Sequence, residues 1–101
     1  MLFLNSENRL ISDKILWEGT VNSVAAYPRE ILKHAISLSA TALILIHNHI
    51  SSDPSPSSAD IAITKEIAAA SKLLGIAVHD HLIVARGSVF SMAKNACIRI
   101  D

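Results

Sequence analysis

Cysteine is nearly absent from this 101-residue chain, in which Cys97 is the single example. One cysteine excludes an internal disulfide, and this composition suits a reducing compartment. No apolar run approaches the roughly 20 residues that a membrane-spanning helix needs. The opening MLFLNSENRL also lacks the basic start and apolar core of a signal peptide. We therefore expect a cytoplasmic protein that has no membrane-spanning segment.

Charge is also sparse. Charged residues make up 18% of the chain, nine Lys and Arg balance nine Asp and Glu, and the basic residues are scattered. This scatter argues against a large phosphate-binding surface, because non-specific nucleic-acid binding needs grouped positive charge. Half of the residues are apolar, which is typical of a folded globular protein. The length fits one domain over residues 1–101.

Aromatic residues are few, and they consist of Phe3, Trp17, Tyr27 and Phe90. So few rings do not supply a row of platforms on which the bases of a single-stranded nucleic acid could stack. We interpret Trp17, near the end of a predicted strand, as a core residue or as a contact in an oligomer. A homodimer is therefore one of the arrangements that the sequence leaves open.

The hydrophobic pattern predicts strands and helices in the order β-β-α-β-α-β-β. Two strands joined by the polar turn SENR open the chain. The run ALILIH at residues 42–47 is continuously apolar, which is typical of a central strand covered on both faces. IAVHDHLIVA reads as a second such strand and VFSMA as an edge strand. This order predicts an α/β fold with a mixed β-sheet and flanking helices.

Helical spacing of apolar residues predicts two helices. One begins at Pro28, which suits a first helical turn. Its expected apolar stripe consists of Ile31, Leu32, Ala35, Ile36 and Leu38. The other runs from about Ser57 to Leu74 with Gly75 as its stop, and its stripe consists of Ile63, Ile67, Ala70 and Leu74.

Two histidines, His47 and His49, follow the predicted central strand. In an extended chain residues two apart point to the same side, so both imidazoles can face one point. Asp60 follows a Pro- and Ser-rich loop and continues the inward stripe of the second helix. Two imidazoles and one carboxylate, with an open fourth position, form the ligand set of a catalytic zinc, which lowers the pKa of a bound water to about 7. The pattern therefore indicates one zinc per chain.

A purely structural interpretation of the same residues is also open. Ser57 and Asp60 match S-x-x-[DE], the signature of a helix capping box, in which both residues serve only the start of the helix. His47 and His49 would then be polar residues at the end of a strand. The position beyond a strand end favours the metal site, because binding sites in such sheets gather there.

The spacing H-x-H, seven residues, then S-x-x-D resembles the signature of the JAMM (MPN+/JAB) metalloproteases, and the wider chain resembles their RadC-like branch. The matching segments are GTVNS, YPREIL, HNHISSDPSPSSADIAIT, LLGIAVHDHLIV and the opening MLFLNSENRLI. The resemblance implies a fold similar to that of cytidine deaminases. It also implies that His47, His49 and Asp60 are zinc ligands and that Ser57 hydrogen-bonds the tetrahedral intermediate as a catalytic residue.

Two departures from the RadC-like pattern bear on catalysis. Ile50 and Ser52 stand where RadC-like chains usually have proline and glycine, so we expect a different loop path there. JAMM enzymes also use a glutamate as general base, which we expect ahead of MLFLN and outside this chain. Among the glutamates present, Glu18 is the single candidate substitute. Glu7 and Glu66 are predicted to face solvent, and Glu30 lies in the first turn of a helix, where a carboxylate interacts favourably with the helix dipole.

A second H-x-H, formed by His79 and His81, lies inside a predicted strand. The two histidines are expected to share one face, and no third ligand follows at a suitable spacing, so structural histidines are the favoured interpretation. Asp80 and His81 nevertheless match the RadC-like pattern. Both are therefore candidates for hydrogen bonds that support the metal ligands from outside the ligand set.

Three functions compete at this stage. The leading one is a zinc-dependent hydrolase that cleaves a peptide or isopeptide bond in a protein or peptide substrate. The alternative is a catalytically silent metal-binding or protein-interaction module. A link to DNA repair or to mobile elements comes only from the association of the RadC name, because the chain has neither a carboxylate-rich metal site nor a basic stretch.

Overall fold

The computed structural model describes residues 1–14, 27–49 and 53–99, and Trp17 and Glu18 lie outside these ranges. The elements in this part of the chain are β1 Leu2–Leu4, β2 Leu10–Asp13, α1 Tyr27–Ser37, β3 Ala42–Asn48, α2 Ser58–Leu73, β4 Ala77–Ala85, β5 Ser88–Ser91 and β6 Ala96–Arg99. They form one six-stranded sheet in the order β2-β1-β3-β4-β5-β6. β3 and β4 are parallel, and all other neighbours are antiparallel. The predicted α/β fold with a mixed sheet and flanking helices is confirmed.

β1 and β2 form the predicted hairpin around a polar turn. The Asn5 side-chain oxygen accepts hydrogen bonds from the amides of Glu7 at 2.9 Å and Arg9 at 3.0 Å. Asn8 has a φ of 60°, a left-handed conformation that asparagine tolerates better than most residues. The turn SENR therefore folds locally, because the side chain of Asn5, the residue just before it, satisfies two of its backbone amides.

Both helices pack on the same face of the sheet. Leu43 and Leu45 are two residues apart on β3, so their side chains point the same way, and they join Ile31 of α1 and Ile67 of α2 in one buried cluster. The full cluster consists of Phe3, Ile31, Ala35, Ala40, Leu43, Leu45, Ile67 and Ile76. Complete burial of one Leu, Ile or Phe side chain contributes about 1.5–3 kcal/mol. This core fixes α1 and α2 against β3.

Some predicted apolar positions are more exposed than expected. Ile46, on the other face of β3, is 41% exposed, so the prediction that this strand is covered on both faces is wrong. The physical reason is that both described helices lie on one side. Ile36 is 58% exposed, because it is turned about 100° around the helix from buried Ala35. Leu74 is 51% exposed, because α2 ends at Leu73.

The C-terminal region contains a strand that the hydrophobic pattern missed. VFSMA was expected to be an edge strand, but β5 is internal because β6 pairs with its far side. All four residues of β6 are exposed, so this strand lacks the apolar alternation that reveals a half-buried strand. Asn95, with a φ of 50°, marks the tight turn before it.

α2 connects the parallel strands β3 and β4 and thereby determines where the candidate site lies. A parallel pair needs a crossover connection, and helices commonly provide it. β3 and β4 end at the same edge of the sheet, and α2 begins at that edge. The residues predicted for the site meet there. Neither described helix combines the length and apolar character that crossing a membrane would require.

Candidate metal centre

His47 and His49 converge at the end of β3. His47 belongs to the strand, and the amide of His49, one residue beyond it, donates to the Val84 carbonyl of β4 at 2.8 Å. This bond extends the strand pairing and keeps the chain extended through both histidines. Their rings lie edge to face with centroids 4.9 Å apart. The predicted convergence of the two imidazoles is therefore present, and its cause is the extended backbone.

Asp60 reaches the same point from the start of α2. Its Oδ1 lies 2.7 Å from His47 Nδ1, and its Oδ2 lies 3.1 Å from His49 Nε2. Each of these three residues offers one ligand atom, and the three atoms lie within 4.8 Å of one another. The Asp60 side chain is 5% exposed and the His47 side chain 49%, so the cluster is closed on the helix side and open on the strand side.

Ser57 and Asp60 also form the capping box that the structural interpretation predicted. Ser57 has extended backbone angles of φ −77° and ψ 166°, and its Oγ accepts from the Asp60 amide at 3.1 Å. In return, the amide and the hydroxyl of Ser57 both donate to Asp60 Oδ2, each at 2.8 Å. The two interpretations of these residues are therefore compatible, because one carboxylate serves the helix start and also faces the histidines.

The loop ahead of α2 orients His49. Its Nδ1 lies 3.2 Å from the main-chain oxygen of Asp53, and Asp53 Oδ1 accepts from the Ser55 amide at 2.9 Å. A carbonyl oxygen can only accept, so Nδ1 of His49 carries the hydrogen of this bond. In the neutral ring the lone pair is then on Nε2, the atom that faces Asp60. The departures at Ile50 and Ser52 lie outside the described residues.

The family model described as RadC-like JAB domain matches residues 1–97 of the chain. The chain belongs to the RadC-like JAB domain family. A UPF0758 protein from Rhodobacter capsulatus is 50% identical over 91 residues, which cover 90% of this chain and 42% of that protein. The chain therefore spans less than half the length of this relative. All of the candidate site lies within the matched residues, and the mixed sheet with two helices is consistent with the JAB/MPN fold.

The donor set of this RadC-like JAB domain fits a metal ion. Tetrahedral zinc ligands lie about 3.3 Å apart, given bonds of roughly 2.0–2.2 Å to nitrogen and oxygen. The Asp60 carboxylate oxygens lie 2.7 Å from His47 Nδ1 and 3.1 Å from His49 Nε2, and one ligand atom from each residue lies within 4.8 Å of the others. Burial opposes the ionisation of Asp60, but the hydrogen bonds from Ser57 and the nearby His47 outweigh it and hold the pKa of Asp60 below its ordinary value of 3.8. His47, His49 and Asp60 could therefore hold a metal, with Asp60 present as carboxylate at neutral pH.

A β-bulge separates the histidines of the second H-x-H. Leu43 pairs with Val78 and Ile44 with Asp80, so His79 is the extra residue of β4. His79 is exposed and its Nε2 lies 2.8 Å from Asn8 Oδ1, whereas His81 is 5% exposed. The expectation that the two share one face is wrong, because strict alternation fails at a bulge. His79 keeps its interpretation as a structural histidine.

Asp80 and His81 have different surroundings. The Asp80 carboxylate accepts hydrogen bonds from Ser91 Oγ at 2.5 Å, from the His81 amide at 2.7 Å and from the Ala93 amide at 3.0 Å. Burial opposes the ionisation of Asp80, but these bonds lower its pKa. Asp80 therefore holds the turn between β5 and β6. The His81 ring lies 6.2 Å from that of His47 and belongs to the surroundings of the metal site.

Thr64 is a residue near the site that the motif analysis did not single out. Its Oγ1 lies 2.7 Å from the Asp60 carbonyl, 2.5 Å from His81 Nδ1 and 3.7 Å from Met92 Sδ. The signal available in the sequence was its spacing, since a residue four positions after Asp60 lies on the same face of α2. That spacing alone does not reveal a partner on another element.

Proposed function

We propose that this domain binds one zinc ion through His47, His49 and Asp60 and acts as a metallohydrolase on a peptide or isopeptide bond. The observation that carries the proposal is the approach of two imidazole nitrogens and a carboxylate oxygen within 4.8 Å at one end of the sheet. Membership of the RadC-like JAB domain family supports it. A zinc ion in such a site supplies a Lewis acid that polarises a carbonyl and a water that is deprotonated near neutral pH.

The residues of the chain prepare this site in three ways. Ser57 holds Asp60 in its charged form, since two donors on Oδ2 favour the carboxylate. Asp53 holds His49 with its Nδ1 hydrogen turned away from the cluster. The half-exposed side of His47 leaves room for a substrate to approach.

We assign Ser57 the role of hydrogen-bond donor to the oxygen of the attacked carbonyl. Its hydroxyl lies on Asp60 Oδ2, but the Ser57 amide donates to the same oxygen. The hydroxyl can therefore turn to a substrate while Asp60 keeps the amide hydrogen bond. A donor aimed at a developing oxyanion contributes roughly 10²–10³ in kcat.

The described glutamates do not supply the proton acceptor of the mechanism, and Glu18 lies outside the described residues. Glu7, Glu30 and Glu66 are exposed, and none of them belongs to the cluster of His47, His49 and Asp60. A hydrolase of this kind needs a base within hydrogen-bond reach of the attacking water. A metal-binding module without hydrolytic activity, which needs no such base, is the second candidate function.

Zinc content tests the metal site. We expect one zinc per chain in the purified protein after zinc is supplied at neutral pH, measured by elemental analysis after desalting. His47→Ala, His49→Ala and Asp60→Ala should each lose it, because three ligands are the minimum for such a site. His79→Ala is the matched control, since His79 is an exposed histidine of the same domain that binds Asn8 instead. Absence of zinc from the wild-type protein would contradict the proposal.

Peptide cleavage separates the two candidate functions. We expect the zinc-loaded protein to hydrolyse members of a quenched-fluorescence peptide library, with Ser57→Ala lowering kcat by about 10²-fold. Ser58→Ala is the control, because Ser58 is exposed and has no bond to Asp60 among those described. Zinc binding without any cleavage, in a full-length protein as well, would favour the metal-binding module.

A further inference from the structure

A buried side-chain link joins α2 to β4 beside the three candidate ligands. His81 on β4 is 5% exposed, and its Nδ1 lies 2.5 Å from Thr64 Oγ1 on α2. The same hydroxyl lies 2.7 Å from the carbonyl oxygen of Asp60, one helical turn earlier. We infer that Thr64 and His81 form a clamp that positions Asp60 for metal binding. This inference rests on the proposed metal site and adds two positioning residues to it.

The direction of the hydrogen bonds follows from simple counting. A threonine hydroxyl has one hydrogen, and we assign it to the Asp60 carbonyl at 2.7 Å in preference to Met92 Sδ at 3.7 Å, with the His81 tautomer that carries its hydrogen on Nδ1. The Thr64 oxygen then accepts from Nδ1–H of His81. Both groups are thereby satisfied in a part of the molecule where unpaired polar atoms are rare. The chain His81–Thr64–Asp60 runs in one direction from strand to helix.

The clamp connects the two elements that carry the ligands. His81 pairs in register with Leu45 of β3, two residues before His47. Thr64 lies on α2 together with Asp60. The capping box holds the Asp60 carboxylate within its own helix, but it does not fix that helix relative to the sheet. The Thr64–His81 clamp supplies this second restraint with directional bonds, and metal ligands need placement within a fraction of an ångström.

A residue that holds α2 on the sheet only by apolar packing serves as the comparison for the clamp. Ile67, one turn after Thr64, is 1% exposed and belongs to the core cluster. It holds α2 on the sheet through non-directional apolar contacts. Loss of a methyl group at Ile67 should therefore lower stability without changing the relative orientation of Asp60 and the histidines. Substitution of Thr64 or His81 should instead lower zinc affinity by more than the accompanying loss of folding stability explains.

Zinc affinity of four variants tests the clamp. The variants are Thr64→Val, which removes the hydroxyl at nearly constant volume, Thr64→Ser, which keeps it, His81→Asn and Ile67→Val. We measure zinc Kd by competition with a chromophoric chelator, the visible spectrum of the cobalt-loaded protein, and the thermal midpoint of the metal-free protein. Thr64→Val should weaken zinc binding about 10- to 100-fold and alter the cobalt spectrum.

The matched variants distinguish positioning from stability. Thr64→Ser should bind zinc within a few-fold of wild type, and Ile67→Val should keep wild-type affinity although its thermal midpoint falls. If Thr64→Val does not fold, His81→Asn, whose amide nitrogen can replace Nδ1, is compared with His81→Leu. The clamp would be overturned if Thr64→Val bound zinc with wild-type affinity, or if Ile67→Val lost as much zinc affinity as Thr64→Val. Either result would leave the metal site itself standing. A wild-type protein that binds no zinc would instead overturn the metal site itself, and the clamp with it.

Discussion

Asp60 performs two tasks with a single carboxylate. Oδ2 accepts from the Ser57 amide and hydroxyl, which completes the capping box, and also lies near His49 Nε2. Oδ1 lies near His47 Nδ1. An exposed carboxylate at the third position of a helix would serve the cap alone. Asp60 is 4% exposed because it faces the end of β3, and that placement gives the cap residue a second set of partners.

The acid sensitivity of the metal-free protein should depend on His81. Burial lowers the pKa of His81 to about 4 from 6.5, with the negative charge of Asp60 opposing this shift. The folded protein therefore keeps His81 neutral down to about pH 4. Above pH 6.5 the imidazole is neutral in the unfolded chain as well, so His81 causes no loss of stability there. Between pH 6.5 and pH 4 the unfolded chain binds a proton that the folded protein does not bind, so stability falls as the pH falls. The expected loss is on the order of 3 kcal/mol.

Urea unfolding at pH 7 and pH 4.5 measures this loss. The wild-type protein should lose more free energy of unfolding between the two pH values than His81→Asn, which has no imidazole to protonate. The pKa values of Asp60 and Asp80 are lowered from 3.8, so their contributions are lost only below this pH window. Equal pH dependence in the two proteins would contradict the assignment to His81.

At the scale of elements, the β-bulge in β4 decides which face of the sheet the following side chains occupy. The extra residue His79 shifts the register against β3 by one position. After this shift, His81 and Ile83 are buried on the helix side, where Leu45 of β3 pairs with His81. Asp80 points to the other side, where it binds the turn that leads into β6. Strand alternation sends the neighbours Asp80 and His81 to opposite faces, and the bulge decides which face each of them takes.

Removal of the Asp80 carboxylate should loosen the β5–β6 turn. Asp80→Ala leaves Ser91 Oγ and the amides of His81 and Ala93 without their acceptor, and we expect a loss of about 2 kcal/mol in the free energy of unfolding. Hydrogen exchange of the Ala93 amide should accelerate, while zinc affinity stays at the wild-type level. Asp13→Ala, an exposed carboxylate on β2, is the control. A change in zinc affinity as large as that of Thr64→Val would show that Asp80 supports the metal site.

For the whole molecule, the core and the candidate metal site are separate. The core cluster lies between the two helices and one face of the sheet, whereas His47, His49 and Asp60 converge where β3 ends and α2 begins. We expect a domain with its own core to fold without metal, unlike a zinc finger, which is unfolded without it. A bound metal should therefore add to stability without being required for the fold.

Chelation of zinc should lower stability and leave the fold intact. At a free zinc concentration 100 times Kd, binding adds about 2.7 kcal/mol to the free energy of unfolding. EDTA should remove this increment, seen as a lower thermal midpoint, while the far-ultraviolet circular dichroism spectrum at 25 °C stays unchanged. The Asp60→Ala variant should show no response to zinc or EDTA. Loss of helical signal on chelation at 25 °C would contradict a metal-independent core.

The helices, the hairpin and the central strand could be predicted from the sequence, because each depends on local pattern. Asn5 and Asn8 indicate the first turn, and Ser57 with Gly75 marks the limits of α2. β6 could not be predicted, since an exposed edge strand is formed by pairing with β5 and carries no apolar alternation. The exposure of Ile46 also depends on where the helices pack, which strand pattern does not specify.

The sequence by itself determined the candidate ligands, because His47, His49 and Asp60 have a spacing that strand and helix geometry turn into a common direction. The family was recognisable from the resemblance of the H-x-H and S-x-x-D signature and of the surrounding segments. Only the tertiary structure decided which neighbours support them. The bulge at His79 turns His81 inward, and the parallel pairing of β3 and β4 brings it to Thr64. Contacts between residues 17 positions apart on different elements depend on register and packing, and no local pattern encodes these.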